Sequence, residues 1–90
     1  MKPLVSVCIP AYNSARYIGA TIESVLSQRY ENLELVVVDD CSGDNTVEIV
    51  NSFRDPRLRL VKNEKNLGMT GNWNKCLAEA GGDYIKLICA

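Results

Sequence analysis

The hydrophobic positions of this chain follow two periods, one typical of buried strands and one typical of amphipathic helices. Short apolar runs predict four strands, at residues 4–9, 33–40, 58–62 and 84–90. Between them, apolar residues spaced three and four apart predict three helices that end near residues 27, 54 and 80. Strands and helices therefore alternate along the chain.

Two of these predicted boundaries depend on residues that interrupt regular structure. Pro10 follows the first apolar run, and because proline has no N–H to give to a neighbouring strand, we expect it to end that strand. Gly81 and Gly82 follow the third helical stripe and favour a helix end. The stripe consists of apolar residues on one helical face, which we expect to pack into the core: Met69, Trp73, Cys76, Leu77 and Ala80.

The alternation predicts an α/β fold with one parallel sheet. Short connections and right-handed crossovers place helices on the faces of a four-stranded sheet in the order 3-2-1-4. Strand three, which carries Arg59 and Lys62, suits an edge. Because the strand order reverses between strands one and four, a ligand crevice is expected there, above residues 10–13.

Composition narrows the classes of function. The 90 residues carry a net charge of −1 without a cationic cluster, which argues against a nucleic-acid partner. No apolar run is long enough to cross a bilayer, and the first strand begins too early to leave room for a secretory leader. A cytoplasmic location is expected.

The four cysteines predict free thiols. Their spacing is wide, no Cys-x-x-Cys pair occurs, and the chain has no histidine to complete a mixed zinc site. Cys8 and Cys89 lie within predicted strands and Cys76 on the apolar face of a predicted helix, so burial is expected for all three. Only Cys41 is expected to be exposed.

Asp39 and Asp40 end the second apolar run, at the edge of the sheet where parallel folds bind ligands. Neighbouring residues of a strand point to opposite faces, so these two carboxylates are poorly placed to chelate one metal ion together. The turn after strand one lacks the Gly-x-Gly-x-x-Gly of dinucleotide-binding domains, and no P-loop is present. Phosphoacceptor receiver domains are excluded too, because their acidic residues occupy other strand ends.

Five segments taken together carry a resemblance that covers essentially the whole chain in order. They are residues 5–13 (VSVCIPAYN), 24–28 (SVLSQ), 35–42 (LVVVDDCS), 66–74 (NLGMTGNWN) and 82–85 (GDYI). In this combination the chain resembles family 2 glycosyltransferases. The resemblance implies a nucleotide-diphospho-sugar transferase fold of the GT-A type, of which residues 1–90 form the N-terminal, nucleotide-binding part.

The resemblance also implies roles for individual residues. The loop of Pro10, Ala11, Tyr12 and Asn13 is expected to lie against the nucleoside, and Asp40 to accept a hydrogen bond from the base. Asn66, Gly68 and Asn74 match family positions close to the nucleotide. At position 73 the family frequently has arginine, and Trp73 departs from this pattern; since it falls on the apolar stripe, we expect it to pack into the core. Asp39 is expected to order the loop.

The implied reaction transfers a sugar, with inversion, from a UDP-sugar, dTDP-sugar or GDP-sugar, with UDP favoured, to an unidentified acceptor. The Mg²⁺ or Mn²⁺ of the family is held by acidic residues just after the fourth strand, so its ligands are expected beyond Ala90. Residues 1–90 alone are then expected to bind no metal, to supply no catalytic residue and to be inactive. The whole protein is expected in the cytoplasm or at the cytoplasmic face of a membrane.

An alternative from another class is a non-catalytic α/β interaction module that kept the sheet but not the transfer chemistry. A further expectation concerns strand four, Tyr84 to Ala90, whose outer edge has no predicted partner. An unpaired apolar edge favours pairing with another chain, so self-association through this strand is predicted.

Overall fold

The computed structural model describes residues 2–89, which form strands and helices in strict alternation. The strands are β1 (Val5–Ala11), β2 (Leu33–Asp39), β3 (Leu58–Lys62) and β4 (Tyr84–Leu87). The helices are α1 (Ile18–Leu26), α2 (Thr46–Asn51) and α3 (Gly68–Glu79).

The four strands form one parallel sheet in the order β3-β2-β1-β4. This confirms the predicted topology, including the position of β3 at an edge. In the register of the sheet, Val5 of β1 lies beside Leu33 of β2 and Tyr84 of β4, while Leu35 lies beside Leu58 of β3. The carboxyl ends of the strands therefore meet at one rim of the sheet.

The sheet separates two hydrophobic clusters, and β2 contributes to both. Leu35 and Val37 pack on the face covered by α1 and α2, whereas Val36 and Val38 pack on the face covered by α3. All four side chains are fully buried, and each contributes roughly 1.5–3 kcal/mol by leaving water. Continued past Val38, the same alternation sends the next two side chains to opposite faces.

β1 continues through Pro10 to Ala11, so the prediction that Pro10 ends the strand is wrong. The Cys8 carbonyl accepts a hydrogen bond from Ile88 N–H, which shows that the backbone N–H and C=O groups of even-numbered β1 residues point toward β4. Pro10 also faces that side, where no N–H is required because β4 has already ended at Leu87. Toward β2 the ladder is intact, and the Ala11 carbonyl accepts from Asp40 N–H at 2.9 Å.

β4 is correspondingly shorter than the predicted strand at 84–90. Its pairing with β1 stops at Leu87 opposite Cys8, two residues before Pro10. Cys89 therefore lies outside the strand and is exposed, contrary to the prediction that it is buried. Ala90 lies outside the described residues.

The apolar stripe of α3 does not face the core as a whole. Cys76 is fully buried and Ala80 half-buried, but Trp73 and Leu77 are 37% and 45% exposed. The helix packs on β1 and β2 through Cys76 and Asn72, which lie four residues apart on one face. A polar residue, Asn72, which lies outside the predicted apolar stripe, is therefore buried on the inward face of α3.

At the opposite rim of the sheet, a compact polar network fixes the connection from α3 to β4. Gly82 N–H donates to Ser6 Oγ at 2.8 Å, and Gly81 N–H donates to Glu34 Oε2 at 2.8 Å. Ser6 Oγ donates to the same Glu34 oxygen, and this hydrogen bond is the main cause that lowers the pKa of Glu34. A Cβ at position 82 would lie only 2.6 Å from Ser6 Oγ.

Candidate functional site

A cavity of about 600 Å³ opens at the carboxyl ends of β1 and β2, between these strand ends and the N-terminal half of α3. This is the rim at which the reversal of strand order predicts a ligand crevice. The lining residues are Pro10, Ala11, Tyr12, Asp40, Cys41, Asn66, Gly68, Met69, Asn72, Trp73 and Cys89. Six of the eight predicted site residues are among them; Asn13 and Asn74 are not.

Asp40 is the buried carboxylate of this cavity, with 2% of its surface exposed. Its Oδ1 accepts hydrogen bonds from Asn63 Nδ2 at 2.9 Å and from Leu67 N–H at 2.7 Å. Its Oδ2 accepts one from Gly68 N–H at 3.0 Å. A carboxylate has about four acceptor positions, so one position, on Oδ2, is not used by a donor from the described residues.

The turn into α3 is shaped around Asp40. Asn66 Nδ2 donates to the Asp40 carbonyl at 3.1 Å, and Asn66 Oδ1 accepts from Gly68 N–H at 3.1 Å. Gly68 has a φ of 79°, a conformation that side chains with a Cβ rarely adopt. Asn66 and Gly68 therefore line the cavity and also hold the loop that closes on Asp40.

Asn72 is a site residue that the sequence pattern did not reveal. It is buried, its Nδ2 donates to the Val38 carbonyl at 3.1 Å, and its Oδ1 accepts from Asn63 Nδ2 at 2.9 Å. Since Asn63 also donates to Asp40, these side chains link the middle of α3 to the carboxylate. No signal in a single sequence marks Asn72, because asparagine in a helix is as a rule exposed.

Asn13 lies in the loop after β1 and joins that loop to the one after β2. Its N–H donates to Ser42 Oγ at 2.9 Å, and its Oδ1 accepts from Gly43 N–H at 2.7 Å. Asn13 has a φ of 49°, which asparagine tolerates better than most residues. Its side chain thus connects the two loops by a hydrogen bond and does not line the cavity.

Asp39 points to the other face of the sheet from Asp40. Both oxygens of its carboxylate accept hydrogen bonds from Ser42, one from the hydroxyl and one from the backbone N–H. The side chain is buried and lies outside the cavity wall. These contacts agree with the expectation that Asp39 orders the loop.

The neighbouring helix positions 73 and 74 differ from their predicted roles. Asn74 is exposed and does not line the cavity, whereas Trp73 does. The prediction that Trp73 packs into the core is wrong: the N-terminal half of α3 overhangs the cavity, and its apolar side chains face that opening. Tyr12, at 54% exposure, borders the same cavity from the end of β1.

The four thiols divide into two pairs. Cys41 and Cys89 are exposed and line the cavity. Cys8 and Cys76 are buried in the cluster under α3, and burial raises the pKa of both, that of Cys76 to about 12. All four are free, as predicted.

The residues described here do not fit a divalent cation. Among residues 2–89, no group of three or more His, Cys, Asp or Glu side chains could hold a metal ion. Asp39 and Asp40 lie on opposite faces of the sheet, and each is engaged by hydrogen bonds. No helix in this part of the chain is long and apolar enough to cross a membrane.

A parallel α/β sheet with a cavity at its strand ends, lined by one buried carboxylate, is the architecture of doubly wound α/β proteins, which bind their ligands at this rim. The chain belongs to glycosyl transferase family 2, whose sequence model matches residues 6–88. This confirms the family that the five sequence segments indicated.

Curated relatives from bacteria share this segment. The chain is 42% identical to the putative teichuronic acid biosynthesis glycosyltransferase TuaG of Bacillus subtilis, over 97% of this chain and 35% of that protein. It is 44% identical to the UDP-Glc:alpha-D-GlcNAc-diphosphoundecaprenol beta-1,3-glucosyltransferase WfaP of Escherichia coli, over 94% of this chain and 34% of that protein. The chain thus spans about a third of the length of these relatives.

Solved structures show the same fold. TarS 1–349 of S. aureus in complex with UDP-GlcNAc matches with a TM-score of 0.88 and 35% identity, over 99% of this chain and 26% of that one. The mannosyltransferase PcManGT of Pyrobaculum calidifontis, in complex with GDP-Man and Mn²⁺, matches with a TM-score of 0.84 and 32% identity, over 94% and 26% of the two chains. The predicted GT-A fold is confirmed.

Proposed function

We propose that this chain is the donor-nucleotide part of a glycosyltransferase. Its cavity holds the nucleoside of a nucleotide-diphospho-sugar, with UDP favoured, and the whole protein transfers the sugar with inversion to an acceptor. The observation that carries the proposal is the free acceptor position on Asp40 Oδ2, buried in a cavity at the carboxyl ends of β1 and β2. The complex of the related TarS with UDP-GlcNAc supports it.

Base recognition follows from the chemistry of a carboxylate, which only accepts hydrogen bonds. Asp40 Oδ2 takes the N3–H of uracil or thymine, or the N1–H of guanine, whereas neutral cytosine has no N–H at this position. A hydrogen bond to a charged group contributes roughly 1.5–3 kcal/mol, which favours uracil over cytosine by about tenfold or more. The related PcManGT binds GDP-Man, so guanine remains a candidate base.

Other predicted residues take roles that follow from their positions. Pro10, Ala11 and Tyr12 lie at the end of β1 and form the strand side of the nucleoside site, while Asn66 and Gly68 form the opposite lip. Asn13 acts through the loop that carries Tyr12. Asn74 makes no direct contact with the nucleotide in this proposal, because it does not line the cavity, and it acts only as a residue of α3.

A divalent cation is expected in the whole protein. PcManGT contains Mn²⁺, and the diphosphate of a nucleotide-sugar needs neutralisation when it leaves. The family resemblance implies that the cation's acidic ligands lie beyond Ala90, and residues 2–89 offer no fitting set of ligands. No part of the transfer step is therefore assigned to these residues. A cytoplasmic location remains a prediction from the sequence.

The proposal is tested by titrating the complete gene product with UDP, GDP and CDP in a calorimeter. We expect UDP to bind about tenfold or more tightly than CDP, because only uracil offers an N3–H to Asp40. If none of the three nucleotides binds, the donor-site proposal fails, and the alternative of a non-catalytic interaction module is favoured. Equal affinities for UDP and CDP would remove Asp40 from base recognition.

We also propose that the chain of residues 1–90 self-associates through β4. This strand lies at a sheet edge, and its outer side has no partner among the described residues. Tyr84 and Ile85 on it are exposed. Light scattering of this chain at high concentration should show dimers or larger species; a monomer whose β4 amides exchange freely would contradict the proposal.

A further inference from the structure

Helix α3 presents an apolar wall to the cavity. Met69 and Trp73 lie four residues apart, on one helical face, and both line the cavity while remaining 78% and 37% exposed. Tyr12 adds a second aromatic ring from the end of β1. Three large, mainly apolar side chains thus border an opening whose buried polar side chains are Asp40 and Asn72.

The segment of α3 that carries Trp73 is anchored to the sheet by its neighbouring residues. Asn72, the preceding residue, is buried and bonded to both the Val38 carbonyl and Asn63, and Cys76 packs fully into the core one turn later. Tyr12, by contrast, lies in a loop and is more exposed. Trp73 is therefore the aromatic residue of the cavity that is carried by an anchored helix rather than by a loop.

A nucleobase offers two different surfaces to such a site. Its edge carries the N–H that a carboxylate accepts, and its flat faces are apolar and stack on aromatic rings irrespective of the base. Asp40 fits the edge, and the indole of Trp73, the largest aromatic group in the cavity, fits a face. The two contacts are compatible because the residues reach the cavity from different elements, β2 and α3.

We propose that Trp73 is the base-stacking residue of this site, an affinity determinant that acts together with Asp40. The inference rests on the proposed function, since it assumes that the cavity holds a nucleoside. Stacking supplies affinity that does not depend on which base is bound, whereas Asp40 discriminates between bases. The loss of Trp73 should therefore reduce the binding affinity of all ligands that carry the same base by the same factor.

The test compares variants of the complete gene product by titration with UDP and UMP, which share the base and differ in phosphate. Trp73→Ala should weaken both ligands by about tenfold, the scale expected for one stacked base. Trp73→Phe keeps an aromatic face and should stay within about threefold of the unaltered protein. Leu77→Ala is the matched control, because Leu77 is an exposed apolar residue of α3 outside the cavity.

A second measurement reports the contact directly. In nuclear magnetic resonance spectra of the protein bound to UDP, we expect Overhauser effects between the Trp73 indole protons and the uracil H5 and H6 protons. Unchanged affinity in Trp73→Ala, or indole contacts to the ribose alone, would overturn the stacking role while the donor-site proposal stands. Absence of UDP binding to the unaltered protein would overturn both.

Discussion

Gly68 N–H donates a 3.0 Å hydrogen bond to Asp40 Oδ2, which joins the first residue of α3 to the end of β2 across 28 positions of the chain. Together with the bond from Leu67 N–H to Oδ1, it closes the loop before α3 over the carboxylate. Asp40 is therefore both a part of the cavity's architecture and its free acceptor. Any substitution there has two separable effects.

Asp40→Asn should reduce both stability and nucleotide affinity. The new amide NH₂ meets the N–H of Leu67 or Gly68, so one buried hydrogen bond is lost at a cost of roughly 1–3 kcal/mol in the free energy of unfolding. Urea denaturation measures this cost, and calorimetry should show about tenfold weaker UDP binding at a temperature where the variant is folded.

Asp39→Asn is the matched control for that change. It weakens the turn through Ser42 but leaves the cavity wall intact, so stability should fall while UDP affinity stays within about twofold. An Asp40→Asn variant that lost stability but kept its affinity would show that Asp40 only builds the loop.

Asn72→Ala should destabilise the protein by roughly 1–3 kcal/mol, because it leaves the buried Val38 carbonyl without its side-chain partner and frees Asn63. Asn74→Ala, two residues away on the exposed side, should change the free energy of unfolding by less than about 0.5 kcal/mol. Thermal or urea unfolding of the two variants provides the comparison. Equal effects at both positions would contradict the link from α3 to Asp40.

Gly82→Ala should be destabilising, by roughly 1–3 kcal/mol, since its Cβ would lie 2.6 Å from Ser6 Oγ and 2.8 Å from the Leu4 carbonyl oxygen. Gly19→Ala is the contrasting substitution: its Cβ meets only Ile49 Cγ2 at 3.5 Å, and alanine favours a helix. We expect that variant to be more stable by about 0.5 kcal/mol. A neutral Gly82→Ala would mean that the connection into β4 relaxes easily.

Thiol labelling should distinguish the two pairs of cysteines. At neutral pH, Cys41 and Cys89 should react with a maleimide in the native protein, while Cys8 and Cys76 react only after unfolding, because they are buried and their raised pKa keeps them protonated. Bound UDP should slow the labelling of Cys41, which lies on the cavity wall. Peptide mass spectrometry reads each site, and unprotected Cys41 would argue against a nucleoside beside Asp40.

The fold was predictable from the sequence because each strand and helix carries its own period and the connections are short. The parallel order and the edge position of β3 follow from these local signals. The ends of β1 and β4 were not predictable from the sequence. Pro10 fits within β1 only because its missing N–H faces the side where β4 has stopped, and the length of β4 depends on its pairing with a distant strand.

At the site, the opposite directions of Asp39 and Asp40 were predictable from the alternation along a strand. The orientations of the α3 residues were not predictable in this way. Periodicity identifies an apolar face, but it does not tell whether that face meets a core or an opening, and so Trp73 was assigned to packing. Asn72 and Asn74 differ by about 200° around the helix axis, and only the packing of α3 on the sheet shows which of them turns inward.

The division of β2 between two clusters also limits how this site is able to evolve. Its residues tolerate exchange for others of similar size, but a single inserted or deleted residue within the strand would turn Asp40 toward the α1 and α2 side and put Asp39 in the cavity. If the cavity holds the donor nucleotide as proposed, relatives that bind different nucleotides should share the spacing from Leu33 to Asp40 without a gap.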